Sequence, residues 1–261
     1  MTHWRSYIVI ALVGCAMILG AASARAHQLG GGSTGDGGSH APIQPNIKYD
    51  GRFTFVRLRY GPPIQFQSQL VPWSHDYPEG EQNLMKILTE ISYLGPHVEQ
   101  SNVMALDDVE LFKYPLAYLS EPGAWWVTEK EATNFRSYLH KGGFFIVDDF
   151  RFNDWSNFEA QMRRILPDVR FYDLDGTHPI FHCFFEVDSP ERVPQYYDPG
   201  HPIFRGVYED NDPTKRLMVV IAYNTDISEF WEWSGTGLKP VNESNEAFKV
   251  GVNFFIYGMM H

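Results

Sequence analysis

The chain has 261 residues and a formal net charge of −11, with 32 acidic residues against 21 Lys and Arg. Such an acidic surface repels phosphate backbones and anionic lipids, which excludes nucleic acid as the main partner. Its two cysteines, Cys15 and Cys183, are too few for a disulfide framework, so an apolar core has to hold the fold together.

The first 26 residues have the pattern of a cleavable export signal. Arg5 precedes an uncharged apolar run over residues 7–22, and the Ala-Arg-Ala of residues 24–26 has the spacing that signal peptidase recognises. We therefore expect export to the periplasm or the extracellular space. A lipid anchor at Cys15, which ends a lipobox-like tetrapeptide, and an uncleaved anchor are the alternatives. No later segment is apolar enough to span a bilayer, so we expect no transmembrane helix in the mature chain.

Composition divides the rest of the chain in two. Residues 27–50 are rich in Gly and Ser and bury too little apolar surface to order themselves, which predicts a flexible linker. Residues 51–261 are predicted to form a single α/β domain. The elements predicted in its first half are a strand at 53–60, a helix at 81–94, a short strand at 97–101 and a strand at 115–119.

The clearest pattern lies in residues 128–150. Thr128 and Glu131 have the spacing of a capping box, which predicts the start of a helix. A Gly-Gly turn then leads into the apolar run 144–147, which is typical of a strand buried on both faces of a parallel sheet. A helix at 155–166, strands at 169–174 and 217–223, and a helix at 247–260 are predicted to follow. This alternation predicts a doubly wound α/β fold with a mostly parallel sheet.

Asp148 and Asp149 directly follow the buried strand at 144–147. Ligands of open α/β sheets bind beyond the carboxyl ends of the strands, so both aspartates are candidate catalytic residues. Because strand residues alternate between faces, at most one of them is expected to face a pocket. Two close carboxylates suit proton transfer, or a hard cation such as Mg²⁺ or Ca²⁺. The alternative is structural: one aspartate caps a loop and the other pairs with Arg151.

Other polar residues follow predicted strands or lie in loops. His178 is a third catalytic candidate, because it follows two acidic residues in a loop. The candidate binding residues are Ser120, Glu121, Asn224, Asp226 and Trp73.

Two of these candidates also have structural interpretations. Asp226 and Glu229 have capping-box spacing, so Asp226 is equally suited to starting a helix. His178 suits a solvated turn. Motifs of serine hydrolases, dinucleotide binding, phosphate-binding loops and paired metal ligands are absent from the sequence. We therefore assign no metal ligands and no cofactor, and we expect Cys183 to be an inert thiol.

Several motifs resemble those of a bacterial family, the domain of unknown function 4159. They recur in order over residues 51–261: FVRLRY at 55–60, W-x-x-D-Y-P at 73–78, GGFFIVDDF at 142–150, HPIF at 178–181, NTD at 224–226 and the terminal KVGVNFFIYGMMH. The family implies no activity. Its fold is similar to the flavodoxin-like, class I glutamine amidotransferase-like superfamily, in which the corresponding strand ends in a nucleophilic cysteine. Here Asp148 and Asp149 occupy that place, so amidotransferase activity is not expected.

Two functional hypotheses follow from the sequence. The first is a non-enzymatic binding or assembly module at the cell envelope, with an acidic cleft and an envelope protein, small molecule or glycan as its partner. The second is a hydrolase of glycans or esters in which Asp148 or Asp149 acts with His178, assisted by Glu121.

Overall fold

The computed structural model describes residues 41–61, 71–193 and 201–261. The expected export signal and residues 27–40 of the expected linker lie outside these residues, so both stay predictions. Among the residues described, no helix combines the length and the apolar character needed to cross a bilayer.

Seven strands form one sheet in the order β2-β1-β3-β4-β7-β6-β5. The strands are β1 (Val56–Arg59), β2 (Asn102–Ala105), β3 (Leu116–Ser120), β4 (Phe144–Asp148), β5 (Tyr172–Asp173), β6 (Ile203–Tyr208) and β7 (Leu217–Tyr223). The helices described are α1 (Glu79–Ile91), α2 (Glu129–His140), α3 (Asp154–Ile165), α4 (Ile227–Glu232) and α5 (Val241–Met260). Strands β2, β1, β3, β4 and β7 are parallel, and β6 is antiparallel to both of its neighbours. The predicted α/β class with a mostly parallel sheet is therefore confirmed and is consistent with a flavodoxin-like fold.

Helices cover both faces of the sheet, as a doubly wound fold requires. In β4, Phe145 and Val147 pack in one apolar cluster with residues of α2 and α3. Phe144 and Ile146 pack in a second cluster with residues of α1, α4 and α5. Every residue of β4 is buried, which explains the uninterrupted apolar run over residues 144–147.

Local sequence patterns predicted the positions of most helices and strands. The capping box predicted for α2 is present, with reciprocal bonds between Thr128 and Glu131. The predicted strand at 97–101 is wrong, because β2 begins at Asn102. Strand β6 was missed, since its sequence mixes polar and apolar residues and carries Gly206 in its interior.

Residues 41–50, which composition assigns to the linker, include a segment bonded to the edge strand β2. The side chain of Asn46 donates to the carbonyl of Val103 at 3.0 Å and accepts from its N–H at 2.8 Å. The side chain of Asn102 similarly bonds both backbone groups of Ile47, at 2.8 and 3.3 Å. These bonds engage edge groups that otherwise invite pairing with another chain.

Candidate functional site

The strand order reverses between β1 and β3, because the chain leaves β1 toward β2 and leaves β3 toward β4 on the opposite side. Open α/β sheets bind ligands at the carboxyl edge beside such a switch point. Tyr60, just after β1, spans it by donating to the carbonyl of Glu121, just after β3, at 2.6 Å. The candidate site residues lie around this position.

Asp148, the last residue of β4, is 1% exposed and supports the start of α4. Its carboxylate accepts from the backbone N–H groups of Ile227 at 3.1 Å and Ser228 at 3.0 Å. The hydroxyl of Tyr118 donates to it at 3.1 Å. Burial, and then the charge of Asp149, raise the pKa of Asp148 to about 7. The N–H of Ile227 also reaches the other oxygen, Oδ1, at 3.2 Å, so both oxygens of Asp148 are engaged inside the contact between sheet and helix.

Asp149 turns toward the loop between β1 and α1. Its Oδ2 accepts from the Nδ1–H of His75 at 2.6 Å and from the hydroxyl of Ser120 at 3.0 Å. Asp149 also lies in the wall of the pocket at this edge, described below. The two adjacent aspartates therefore have separate surroundings, and Asp149 is the one available to a ligand.

His75 is enclosed by carboxylates. Its Nδ1 lies 3.7 Å from Glu121 Oε1 and 3.8 Å from Asp76 Oδ2, and its Nε2 lies 3.9 Å from Glu229 Oε2. Burial lowers the pKa of an imidazole, but the charge of Asp76 and the hydrogen bond to Asp149 raise the pKa of His75 to about 12. The surrounding carboxylates therefore favour the protonated form of this half-buried ring at neutral pH.

Two buried aspartates beside His75 each have an oxygen that no N–H or hydroxyl donor among the residues described reaches. Asp76 accepts from the hydroxyl of Ser228 at 2.5 Å through Oδ2, and no such donor reaches its Oδ1, although the carboxyl of Glu232 hydrogen-bonds to Asp76. Asp226 caps α4 by accepting from the N–H of Glu229 at 3.0 Å, as its spacing predicts, whereas its Oδ2 has no partner. Burial raises the pKa of Asp76 to about 6 and holds that of Asp226 well above its usual range.

Two overlapping groups of side chains in the described part of the chain could hold a cation, each with ligand atoms within 4.8 Å of one another. The groups are His75, Asp76 and Asp149, and Asp76, Glu229 and Glu232. In the second group, the ammonium of Lys239 lies 2.7 Å from Glu229 Oε1. Burial, followed by the charge of Asp76, raises the pKa of Glu232 to about 8.

A pocket of about 280 Å³ opens beside Asp149. Its wall contains the acidic residues Glu121, Asp149 and Asp154, together with Arg151. Gly123 allows the Asp154 carboxylate to lie here, because a β-carbon at position 123 would overlap it. Burial, and then the charge of Asp149, raise the pKa of Glu121 to about 8. The pocket is thus predominantly acidic.

The connections at this edge carry left-handed residues other than glycine. The φ angles are 61° at Asp76, 49° at Glu121, 59° at Asp149 and 61° at Asn224. Asp and Asn tolerate this region through local hydrogen bonds, but Glu rarely adopts it. Such conformations persist only where the surrounding structure enforces them, and they cluster at functional sites.

A buried ion pair holds the loop that carries His75. Arg57 of β1 and Glu81 of α1 are each 1% exposed and form a bidentate pair with bonds of 3.0 and 2.7 Å. The remaining donors of the guanidinium bond the carbonyls of Trp73 at 3.1 Å and His75 at 2.8 Å. Burial lowers the pKa of Arg57, but Glu81 more than offsets this and raises it above its ordinary value.

The fold brings some of the other predicted site residues to the pocket and places others elsewhere. Ser120 supports Asp149, and Glu121 lies in the pocket wall. The ring of Trp73 is buried in the core, so only its carbonyl serves the site. Asn224 directly follows β7, and its side chain donates to the carbonyl of His201 at 2.8 Å.

The structure does not bring His178 to this edge. Its Nδ1 accepts from the N–H of Ile180 at 3.2 Å, and its Nε2 lies 2.9 Å from the hydroxyl of Tyr208. Tyr208 ends β6 and pairs with Leu217, the first residue of β7, which places it at the opposite edge of the sheet. Burial lowers the pKa of His178, consistent with a neutral ring that caps a short helix.

Sequence reasoning missed His75, Asp76, Glu229 and Glu232 as site residues. The available signal was the W-x-x-D-Y-P motif, which places His75 and Asp76 in the connection between β1 and α1. Glu229 entered the sequence analysis only through its capping-box spacing with Asp226.

Comparison with protein-family models identifies residues 54–259 with the domain of unknown function DUF4159. The match covers β1 to α5 and therefore every side chain of the site. The chain belongs to the DUF4159 family. No curated protein matches it. The function of this DUF4159 domain has therefore to be inferred from its own site.

Proposed function

We propose that this DUF4159 domain is a binding module whose ligand carries a positive charge, as an amine or a guanidinium does. The supporting observation is the pocket of about 280 Å³ at the carboxyl edge, with Glu121, Asp149 and Asp154 in its wall. Ionised carboxylates bind such cations through charge-assisted hydrogen bonds, which are about twice as strong as neutral ones. A bound cation would also offset the burial and the charge of Asp149 that raise the pKa of Glu121 to about 8. The net charge of −11 favours the approach of a cation from a distance.

The compartment follows from the export signal expected in residues 1–26. In the periplasm or outside the cell, the ligands that fit this proposal are a basic side chain of an envelope protein, a small amine, or a glycan with a free amino group. Each presents a cation small enough for the pocket.

Amidotransferase activity does not fit this site. The place after β4 is taken by two aspartates, and a carboxylate does not form the thioester of glutamine hydrolysis. The thiol of Cys183 donates to the carbonyl of Asn253 in α5 at 3.3 Å, away from this connection. Burial raises the pKa of Cys183 to about 11, which disfavours the thiolate that a nucleophile requires.

Calorimetry with small amines tests the proposal. Agmatine and cadaverine are expected to bind, whereas 1,5-pentanediol, which lacks the charge, is not. The substitution Asp154→Asn removes a charge from the pocket wall and is expected to weaken amine binding about tenfold, corresponding to about 1.4 kcal/mol. Higher salt should weaken binding further, because part of the attraction is between screened charges.

Glu90→Gln is the matched control, since Glu90 is an exposed acid of α1 outside the pocket wall. Its amine affinity should equal that of the unaltered chain. Equal affinity for the amines and the diol, or no amine binding at millimolar concentration, would contradict the proposal.

A hydrolase is the second candidate, and one observation favours it. Glu121 and Asp149 line the same pocket, and paired carboxylates cleave glycosidic bonds. The roles differ from those suggested by the sequence, because Asp148 is engaged by α4 and His178 lies at the opposite edge. Turnover of 4-nitrophenyl glycosides or esters that is lost in Glu121→Gln and retained in Glu90→Gln would support this candidate. Equal turnover by both variants would exclude it.

A further inference from the structure

We propose that His75, Asp76 and Asp149 bind a divalent transition-metal cation of the Zn²⁺ and Mn²⁺ class. This site lies beside the acidic pocket and shares Asp149 with it, but its existence does not depend on the amine ligand proposed above. The three residues come from two connections at the switch point of the sheet, after β1 and after β4.

The geometry suits such an ion. Bonds of about 2.0–2.2 Å from a metal to nitrogen and oxygen ligands place neighbouring ligand atoms roughly 3–3.6 Å apart. Asp76 Oδ2 lies 3.8 Å from His75 Nδ1, close to this range. Asp149 Oδ2 lies 2.6 Å from the same nitrogen, so the ion has to replace the shared proton and separate the two groups slightly.

Buried oxygen atoms that lack a hydrogen-bond donor give a second argument for a cation. Asp226 is 4% exposed, and its Oδ2 has no hydrogen-bond partner among the residues described. Asp76 is 1% exposed, and no N–H or hydroxyl donor reaches its Oδ1, although the carboxyl of Glu232 hydrogen-bonds to Asp76. Burying a carboxylate without full compensation is costly, and native structures avoid it by pairing the charge or by coordinating a metal. A divalent ion held by Asp76 would supply positive charge beside both aspartates.

The surroundings distinguish this group from the neighbouring one. Glu229, in the second group, already has the ammonium of Lys239 at 2.7 Å, whereas Asp149 lies in the pocket wall. Because Asp149 belongs both to the pocket wall and to this group, the pocket gives an ion a route to the group.

The imidazole also selects the class of metal. Mg²⁺ and Ca²⁺ prefer sites made of oxygen alone, whereas imidazole together with carboxylates suits Zn²⁺, Mn²⁺ and their neighbours. The cation is thus of a different class from the Mg²⁺ or Ca²⁺ considered from the two aspartates alone.

Metal titration tests the proposal. The purified chain, freed of metal by a chelator, is titrated in a calorimeter with Zn²⁺, Mn²⁺ and Mg²⁺. We expect one ion per chain, with Zn²⁺ or Mn²⁺ bound at least tenfold more tightly than Mg²⁺. His75→Ala and Asp76→Asn should each weaken binding at least a hundredfold. Co²⁺ should give visible absorption bands that His75→Ala abolishes, and the bound ion should raise the melting temperature.

His182→Ala is the matched control, because it removes a half-buried histidine paired with Glu186 on the surface. It should bind the ion as the unaltered chain does, while Asp154→Asn should weaken the amine but not the metal. His75→Gln replaces His75→Ala if the alanine variant does not fold. Equal metal affinity in the His75 variant and the unaltered chain, or no binding below millimolar concentration, would overturn the proposal.

Discussion

At the residue scale, the site contains two kinds of side chain. Some line the pocket where a ligand would bind, and others hold the backbone that positions the first kind. Asp149 and Glu121 lie in the pocket wall, whereas Asp148 and Arg57 act through the backbone of α4 and of the His75 loop. Adjacent or similarly charged residues therefore have unrelated roles, and substitutions should separate them.

Removing Arg57 should destabilise the fold because it leaves Glu81 charged and buried. We expect Arg57→Met to lower the free energy of unfolding by about 3–5 kcal/mol, the range for breaking a buried ion pair on one side. The double variant Arg57→Met with Glu81→Met removes both charges and should recover at least half of that loss. Urea denaturation measures both. If the double variant is as unstable as the single one, the uncompensated charge of Glu81 is not the cause.

The thiol of Cys183 should react slowly in the folded protein. Its pKa is raised to about 11 from the ordinary 9.0, so folding lowers the thiolate fraction at pH 8.5 on the order of 10²-fold. We expect iodoacetamide to alkylate the native chain slower than the urea-unfolded chain by about that factor, with the native rate rising up to pH 11. A native rate that levels off near pH 9 would show that the thiol is not perturbed.

At the scale of elements, the connections at the carboxyl edge are positioned by helices that pack tightly on the sheet. Helix α5 approaches α4 at Gly251, where a β-carbon would overlap the indole ring of Trp231. The indole N–H of Trp231 donates to the carbonyl of Ala247 in α5 at 3.2 Å. Since α4 carries Glu229 and is capped by Asp226, this contact helps to fix two acids of the site.

Gly251→Ala should therefore destabilise the domain, although alanine is the better helix former. We expect the free energy of unfolding to fall by about 1–3 kcal/mol, as for other overpacked interiors. Asn245→Ala, at an exposed position of the same helix, should change it by less than about 0.5 kcal/mol. Thermal and urea denaturation of the two variants measure the difference. A neutral Gly251→Ala would mean that the contact between α4 and α5 relaxes freely.

For the molecule as a whole, the features that could be predicted from the sequence are those that depend on short-range residue patterns. The apolar run of β4 and the capping box of α2 gave the α/β class and the position of the acidic edge. The site itself needed long-range contacts: Asp149 is 74 residues from His75 along the chain, and no local pattern brings them together. The left-handed backbone angles could not be predicted either, because the presence of Asp or Glu at a position does not indicate a positive φ.

The two outer strands of the sheet, β5 and β2, show the same limit of prediction from sequence. Strand β5 has only two residues, too short for a periodicity signal, and it was predicted as a longer strand. At the other edge, Asn46 bonds to β2 from a segment whose composition predicts a linker. In both cases pairing with a distant part of the chain, rather than local preference, decides the structure.

The left-handed residues have a consequence for engineering this domain. Glycine is relaxed at a φ near 49°, whereas a glutamate there costs the fold of the order of 1 kcal/mol. Replacing Glu121 by glycine should thus stabilise the folded chain and, at the same time, remove a carboxyl group from the pocket wall. Selection for heat resistance alone would therefore favour variants that are more stable but have lost part of the ligand site.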